Sequence, residues 1–335
     1  MPAALRETGD EELRGCLEQA LAETFEAAPR VVELERRPFA YETSFAIDEL
    51  RVVLGDEQRL DLLVKDVGAG LSAAAATKPT LALDPRREIC VYRSLLRGSA
   101  IPAPRFYGAA EDEESGRAWL FLERVPGEVL ADVGDPAAWQ AAAAWAAKLG
   151  GLAGEPRDAG LDRLLLHRNR NWHEHWLTAA TTNCETSGPA KLAARLRYSP
   201  ARLLDRLDVL PRAFVHGELY PSNVIVVREG APESGQVKPV DWEMAGTGPF
   251  ALDLAALATG WADKERQTLY AAFHEALPGE VAGSISPDDL DEAVSLCELS
   301  LALQWLGWAS GWQPPAEHRR DWAADADRLL EELGL

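Results

Sequence analysis

The sequence predicts an α+β chain of two lobes: a small antiparallel sheet with one key helix, then a larger, mostly helical part. Three observations carry that expectation. Strand-like runs fill residues 31–66 and return at 106–125, separated by charged or turn-forming residues. From Gly127 onward helical patterns dominate, as in DPAAWQAAAAWAAKLGG and SPDDLDEAVSLCELSLALQWLGW. Among the helices, residues 214–257 hold two short apolar strands that each end in polar side chains, FVHGELYPSNVIVV and VKPVDWEMAGTGPFALDLAAL.

A chain of 335 residues, 47% hydrophobic and 26% charged, can bury a core for two lobes without disulfide or metal staples. Its 4 cysteines form no C-x-x-C pair, which fits a reducing cytoplasm. No basic-then-apolar leader opens the chain, and no apolar run reaches about 18 residues. A net charge of −20 opposes nucleic acid and anionic membranes as partners. Acids spread over solvated helix faces explain that charge most simply, and an acidic cleft for a cationic substrate is the sharper reading. A monomer or homodimer is expected.

Taken in order, residues 1–29 form an N-terminal extension, in which Leu13, Leu17, Leu21 and Phe25 mark an amphipathic helix over 10–28 packed outside the first lobe. Residues 30–125 form that lobe. Its runs VVELERRPFAYETS, FAIDELRVVL and LDLLVKDV make three antiparallel strands. Lys65 lies inside the third. It is either an edge lysine pointing outward or a buried one whose ammonium needs a partner and meets nucleotide phosphates. Glu88 opens the helical run REICVYRSLL and is the natural partner. Residues 68–87 read as a short Ala-rich helix or a flap, and Lys78 within them is a rival phosphate lysine. FYGAA and AWLFLERV form a hairpin, and Pro126-Gly127 turn the chain out of the sheet. Such a corner suits a hinge whose free backbone groups pair with adenine.

Residues 126–335 form the helical lobe. His173 and His175 lack the i, i+4 spacing of a metal pair and read as surface or packing residues. Trp305, Trp308 and Trp312 have a spacing more typical of core than of a substrate wall, and Glu298 and Gln304 are weak candidates for a cleft. The chemistry concentrates upstream. His216, Glu218 and Asn223 stand in the pattern H-x-acid-x-x-x-x-N, and Asp241 follows a strand, with Trp242 next. This is the layout of a kinase catalytic loop and its metal-binding aspartate. Asn223 and Asp241 suit magnesium, which prefers hard oxygen ligands, and Glu218 suits the acceptor side. The turn REGAPESG would fold the two strands into a hairpin that returns Asp241 to Asn223.

These residues resemble the aminoglycoside phosphotransferase and choline kinase branch of the protein-kinase-like fold. HGELYPSNVIV and PVDWEMAGTGPFALDLA are similar to that family's HGDxxxxNxxx and xIDWExAxxGDPxxDLA segments. The resemblance implies a bilobal kinase fold, with ATP and Mg2+ as cofactors and a hydroxyl of an aminoglycoside-, amino-alcohol- or natural-product-like small molecule as acceptor; the acidic charge balance favours a cationic one. It implies Lys65 as the phosphate lysine paired to Glu88, Asn223 and Asp241 as magnesium ligands, and Glu218 at the catalytic-base position. Glu123 and Val125 would present hinge groups to adenine, Asp253 would brace the loop, and His216 would pack. Three departures stand out: Glu218 replaces Asp, residues 41–44 carry no glycine-rich motif, and the Lys-to-Glu interval is long. A nucleotide-binding pseudokinase or scaffold, or a kinase acting on a peptide, are the alternatives.

Overall fold

A five-stranded antiparallel sheet comes first, built from β1 (Val31–Pro38), β2 (Ile47–Leu54), β3 (Arg59–Asp66), β4 (Phe106–Asp112) and β5 (Arg117–Glu123), in the order β1-β2-β3-β5-β4. The computed structural model describes residues 5–26, 29–40, 45–68, 84, 86–154, 159–198, 200–231, 233, 235–279, 283, 285–308 and 320–335. Expectations for residues 41–44, for Lys78 and most of 68–87, and for Trp312 fall outside these.

Alternation along the strands decides which side each residue serves. Leu60, Leu62 and Val64 of β3 join Leu13, Leu17 and Leu21 of α1 (Asp10–Leu21) in one buried cluster. Lys65, next in line, therefore faces the opposite side, where α2 (Arg86–Cys90) packs and continues as a wider coil through Val91–Leu96. The sheet thus lies between α1 and α2. The approach of α1 is close: a Cβ on Gly108 of β4 would fall 2.0 Å from the Ala20 carbonyl oxygen. The helix ends at Leu21, short of the expected residue 28. Beyond it Thr24 donates to the Tyr107 carbonyl at 3.0 Å, and Glu23 pairs with Arg93.

After β5 the chain passes Pro126 into β6 (Gly127–Val129), then α3 (Pro136–Gly150), α4 (Ala159–Leu164), β7 (Leu166–His167), α5 (Arg170–Thr186), α6 (Ala190–Tyr198) and α7 (Pro200–Asp208). Four short strands follow: β8 (Arg212–Val215), β9 (Val224–Val227), β10 (Val237–Pro239) and β11 (Gly246–Pro249). The chain closes with α8 (Leu252–Ala258), α9 (Asp263–Ala276), α10 (Pro287–Trp308) and α11 (Trp322–Glu332). Helix starts follow local chemistry. Asp135 accepts from the Ala137 N–H ahead of Pro136, and Ser286 and Asp289 cap α10 reciprocally through each other's backbone N–H groups. Among the described residues no helix is long and apolar enough to cross a membrane.

Two small sheets position the chemistry. One has the order β10-β9-β6 and the other β7-β11-β8. The first ties the corner after β5 to the β9–β10 hairpin, because Gly127 pairs with Val227 as soon as the chain leaves Pro126. A Cβ on Gly127 would meet the Val226 carbonyl oxygen at 2.2 Å, so glycine is required there. One buried cluster runs from Ile89, Tyr92 and Leu120 through Trp145, Phe214 and Trp242 to Leu254, so the sheet side and the helical side share a core.

Candidate active site

Lys65 is not an edge lysine. β3 lies between β2 and β5, and the ammonium is almost fully buried. Nζ donates to Glu88 Oε2 at 2.7 Å and to Asp241 Oδ1 at 2.6 Å, and lies 4.9 Å from the Phe45 ring centre. Burial alone would pull its pKa down, but the two carboxylates, Asp241 foremost, outweigh it and hold the lysine charged. Burial pushes the Glu88 carboxyl up and Lys65 opposes that push. With an ammonium at 2.7 Å, the ionised carboxylate is the form this geometry supports. The other Glu88 oxygen accepts from the Trp242 N–H at 3.3 Å, so one glutamate holds both the lysine and the turn after Asp241.

Asp241 reaches this place through the hairpin. β9 and β10 pair Pro239 with Val224, and the Val240 N–H donates to the Asn223 carbonyl at 2.9 Å. Asp241 itself has φ 68° and ψ 68°. That left-handed conformation is uncommon outside glycine and is best tolerated by Asp and Asn. It turns the carboxylate back toward Lys65 instead of continuing the strand. Asn223 Nδ2 donates to the Glu218 carbonyl at 3.0 Å, which turns the side-chain oxygen the other way.

Below the loop, Asp253 at the start of α8 accepts from the His216 N–H at 2.7 Å and the Gly217 N–H at 2.9 Å. Burial lifts the Asp253 pKa to about 6, while the two amides pull against that rise. His216 is fully buried, its Nε2 lies 3.0 Å from the Val240 carbonyl, and the Glu218 N–H points at Nδ1. Burial lowers its pKa to about 4, so it stays neutral at pH 7 and holds the loop rather than carrying a proton. Its ring also begins an aromatic column. His216 meets Trp242 at 4.5 Å, Trp242 meets Tyr92 at 6.4 Å, and Tyr92 meets Phe106 at 6.5 Å.

Glu218 is buried. Its carbonyl accepts from the Tyr220 N–H and from Asn223. Tyr220 is hydrogen-bonded through its hydroxyl to Trp305 Nε1 at 2.8 Å, and Trp305 stacks on Trp322. Trp305 is therefore half-buried beside the loop, whereas Trp308 is core as expected. Glu298 does not face a cleft, because it is buried in an ion pair with Arg266 at 2.7 Å. Gln304 is also buried. His173 packs, with Nδ1 2.9 Å from the Ser300 hydroxyl, and His175 meets the Trp176 ring.

At the corner after β5, the Glu123 N–H donates to the Arg105 carbonyl and the Arg124 N–H to the Asp61 carbonyl. The Val125 N–H has no hydrogen-bond partner among the described residues. The Glu123 side chain is already engaged: it accepts from the Arg105 N–H and from Lys238 Nζ at 2.9 Å.

Sequence reasoning missed two residues. Lys238 is one, a buried lysine of β10 held between Glu123 and Glu233. Arg168, after β7, is the other. It is fully buried beneath Gly217, donates to the Met244 carbonyl at 2.6 Å, and has no acceptor for Nη1 among the described residues. Burial lowers its pKa to about 10, which leaves it charged. Gly217 has φ 89°, and a Cβ there would fall 2.1 Å from Arg168 Nη2, so the loop accepts only glycine at that point. The Lys238 signal was present, a lysine inside the apolar run VKPV; Arg168 carried none, because only the β7–β11 pairing brings it under the loop.

Residues 47–283 match a family model described as the phosphotransferase enzyme family. The chain belongs to that family. All of Lys65, Glu88, Glu218, Asn223, Asp241 and Asp253 of this phosphotransferase lie within the matched span. Solved structures agree on the fold. A microcompartment-associated aminopropanol kinase is 17% identical with TM-score 0.59, covering 95% of this chain and 98% of its own. Choline kinase from Cryptosporidium parvum Iowa II is 13% identical with TM-score 0.59, covering 97% and 94%. The GDP complex of aminoglycoside 2'-phosphotransferase-IIIa is 16% identical with TM-score 0.57, covering 90% and 93%. A search of curated proteins by sequence finds no match.

Proposed function

We propose that this phosphotransferase moves the γ-phosphoryl group of ATP, with Mg2+, to a hydroxyl of a small molecule. The observation that carries the reading is Lys65 held between Glu88 and Asp241, with the β9–β10 hairpin bringing Asn223 alongside. The donor set fits a magnesium nucleotide. It offers one carboxylate and one amide oxygen, both hard ligands, and leaves the rest of the shell to phosphates and water. When bound there, the metal would neutralise phosphate charge.

The chain's own residues would do the remaining work. Lys65 holds a fixed positive charge for the phosphates, and Glu88 keeps it aimed. Val125 offers its N–H to a flat base. Glu218 receives or orients the acceptor's proton. Asp253 and His216 fix the loop so that Glu218 and Asn223 keep their spacing. Placement of this kind accounts for most of the catalysis in phosphoryl transfer. The glutamate at position 218 leaves proton affinity almost unchanged, since Glu and Asp have reference pKa values of about 4.3 and 3.9. Its extra methylene shifts the carboxylate, so the acceptor must sit farther from the loop than an aspartate would require.

For the acceptor, the names of the structural neighbours point to hydroxylated amines: an aminoglycoside, choline and aminopropanol. A net charge of −20 is compatible with a cationic substrate. Single-turnover transfer from radiolabelled Mg-ATP to a panel of amino alcohols tests the reading. Glu218→Gln is expected to lower the rate by about 10²–10⁴-fold with nucleotide binding kept. Wild type that binds Mg-ATP but neither transfers nor hydrolyses it would make the chain a nucleotide-binding pseudokinase instead.

A further inference from the structure

A cavity of about 500 Å³ opens behind the corner that follows β5. Its walls are the loop between α2 and β4, the Tyr92 and Phe106 end of the aromatic column, and the turn of the β9–β10 hairpin. None of Lys65, Glu88, Val125, Asn223 or Asp241 lines it, so it is separate from the nucleotide cleft. Its volume is that of an ordinary small-molecule site.

We propose that this cavity is a regulatory site for a small organic carboxylate with an apolar body. Arg97 and Arg105 stand at it, both exposed and neither in an ion pair among the described residues. Arg97 and Arg105 pair with no carboxylate among the described residues, Arg105 lying instead over the Tyr107 ring at 5.0 Å, which is notable in a chain with 54 acidic and 34 basic residues. A guanidinium fork matches a carboxylate in two hydrogen bonds. Leu96, Ile101 and Phe106 show only their edges to the cavity, and the Tyr92 ring lies fully buried behind them, so the apolar part of the ligand would meet a narrow strip. Glu233 at the same cavity, paired to Lys238 at 2.6 Å, opposes a dianion, so a single carboxylate suits the site better than a phosphate monoester.

Occupation would be felt in the nucleotide cleft by two routes. Tyr92 and Phe106 form one end of the column whose other rings are Trp242, next to Asp241, and His216. Lys238 lines the cavity and grips Glu123, which opens the adenine-facing corner. A ligand that packs on Phe106 and draws on these cations biases both the metal-binding aspartate and the corner. Any change in nucleotide affinity must be matched by an equal change in ligand affinity.

Benzoate is the probe, titrated calorimetrically into the full chain already saturated with magnesium and a non-hydrolysable ATP analogue, which blocks the cleft. Binding in the millimolar range is expected for so small a ligand. The exposed double variant Arg97→Gln/Arg105→Gln should bind benzoate at least tenfold more weakly while keeping its melting temperature. Ala100→Trp, which fills the cavity, should abolish binding. Saturating benzoate should change the affinity for the analogue at least about fivefold. The proposal is overturned if benzoate gives no binding, if it binds the double variant as well as wild type, or if nucleotide affinity does not move. Should the analogue itself fail to bind, the proposed function fails, and benzoate titrated into the nucleotide-free chain still decides the cavity.

Discussion

Two lysines of this chain sit in the same local situation with partners of different kinds. Lys65 of β3 and Lys238 of β10 each lie inside an apolar strand, each is buried, and each is held by two carboxylates. They differ in the exposure of their partners. Glu88 is buried, with 2% side-chain exposure, and Asp241 opens onto the cleft at 26%. Glu123 and Glu233 are exposed by 23% and 51%. A buried lysine with a deeply buried partner is a fixed charge that a ligand can use, since removing either member strands the other. A buried lysine whose two partners both reach solvent is a clamp between segments, here the corner after β5 and the β9–β10 hairpin. The comparison shows that burial and pairing identify a constrained lysine, and that the environment of its partners says what the constraint is for.

Substitutions can break or sharpen that contrast. Asp241→Asn should have the largest effect, lowering phosphate transfer on the order of 10³-fold in single turnover. It should leave the fold intact, because asparagine also tolerates a positive φ. Lys65→Met leaves Glu88 buried and unpaired, and urea unfolding should show a loss of about 3–5 kcal/mol.

His173 extends the contrast to a buried titratable group with no carboxylate hydrogen bond among the described residues. Burial first, then Arg212 and Arg168, hold its pKa near about 4, below the ordinary 6.5. A depressed folded-state value means that its contribution is complete above pH 6.5 and is lost as pH falls toward 4. The loss is about 3 kcal/mol over the whole window. Urea unfolding of His173→Gln at pH 7 and pH 4.5 should show a smaller acid-induced loss than wild type. Lys238→Met should have the smallest effect, about 1 kcal/mol, because its glutamates can take up water.

Much of this was legible because local rules and fold agree. The alternation that buries Leu60, Leu62 and Val64 also turns Lys65 to the α2 side, and the H-x-acid spacing and the strand before Asp241 are sequence-local. The reciprocal Ser286–Asp289 cap and the Asp135-Pro136 start could likewise be read directly. What escaped depends on pairing between distant segments. Arg168 reaches the loop only because β7 runs parallel to β11, and Trp305 reaches Tyr220 only because α10 packs beside the loop. Glu298 misled because an acid in an apolar helix suggests a cleft, while its partner Arg266 lies on another helix. Lys238 shows the opposite lapse. It carried the signal that singled out Lys65, but no helix-borne glutamate beside it in sequence drew attention to it.

The central claim is that Lys65 belongs to the nucleotide and Lys238 to the frame. Calorimetric titration of a magnesium-bound, non-hydrolysable ATP analogue into wild type, Lys65→Met and Lys238→Met tests it most directly, at a temperature where all three remain folded. The account predicts that wild type binds, that Lys238→Met binds within about tenfold of it, and that Lys65→Met loses at least about a hundredfold. Equal losses in the two variants, or undiminished binding by Lys65→Met, would contradict it.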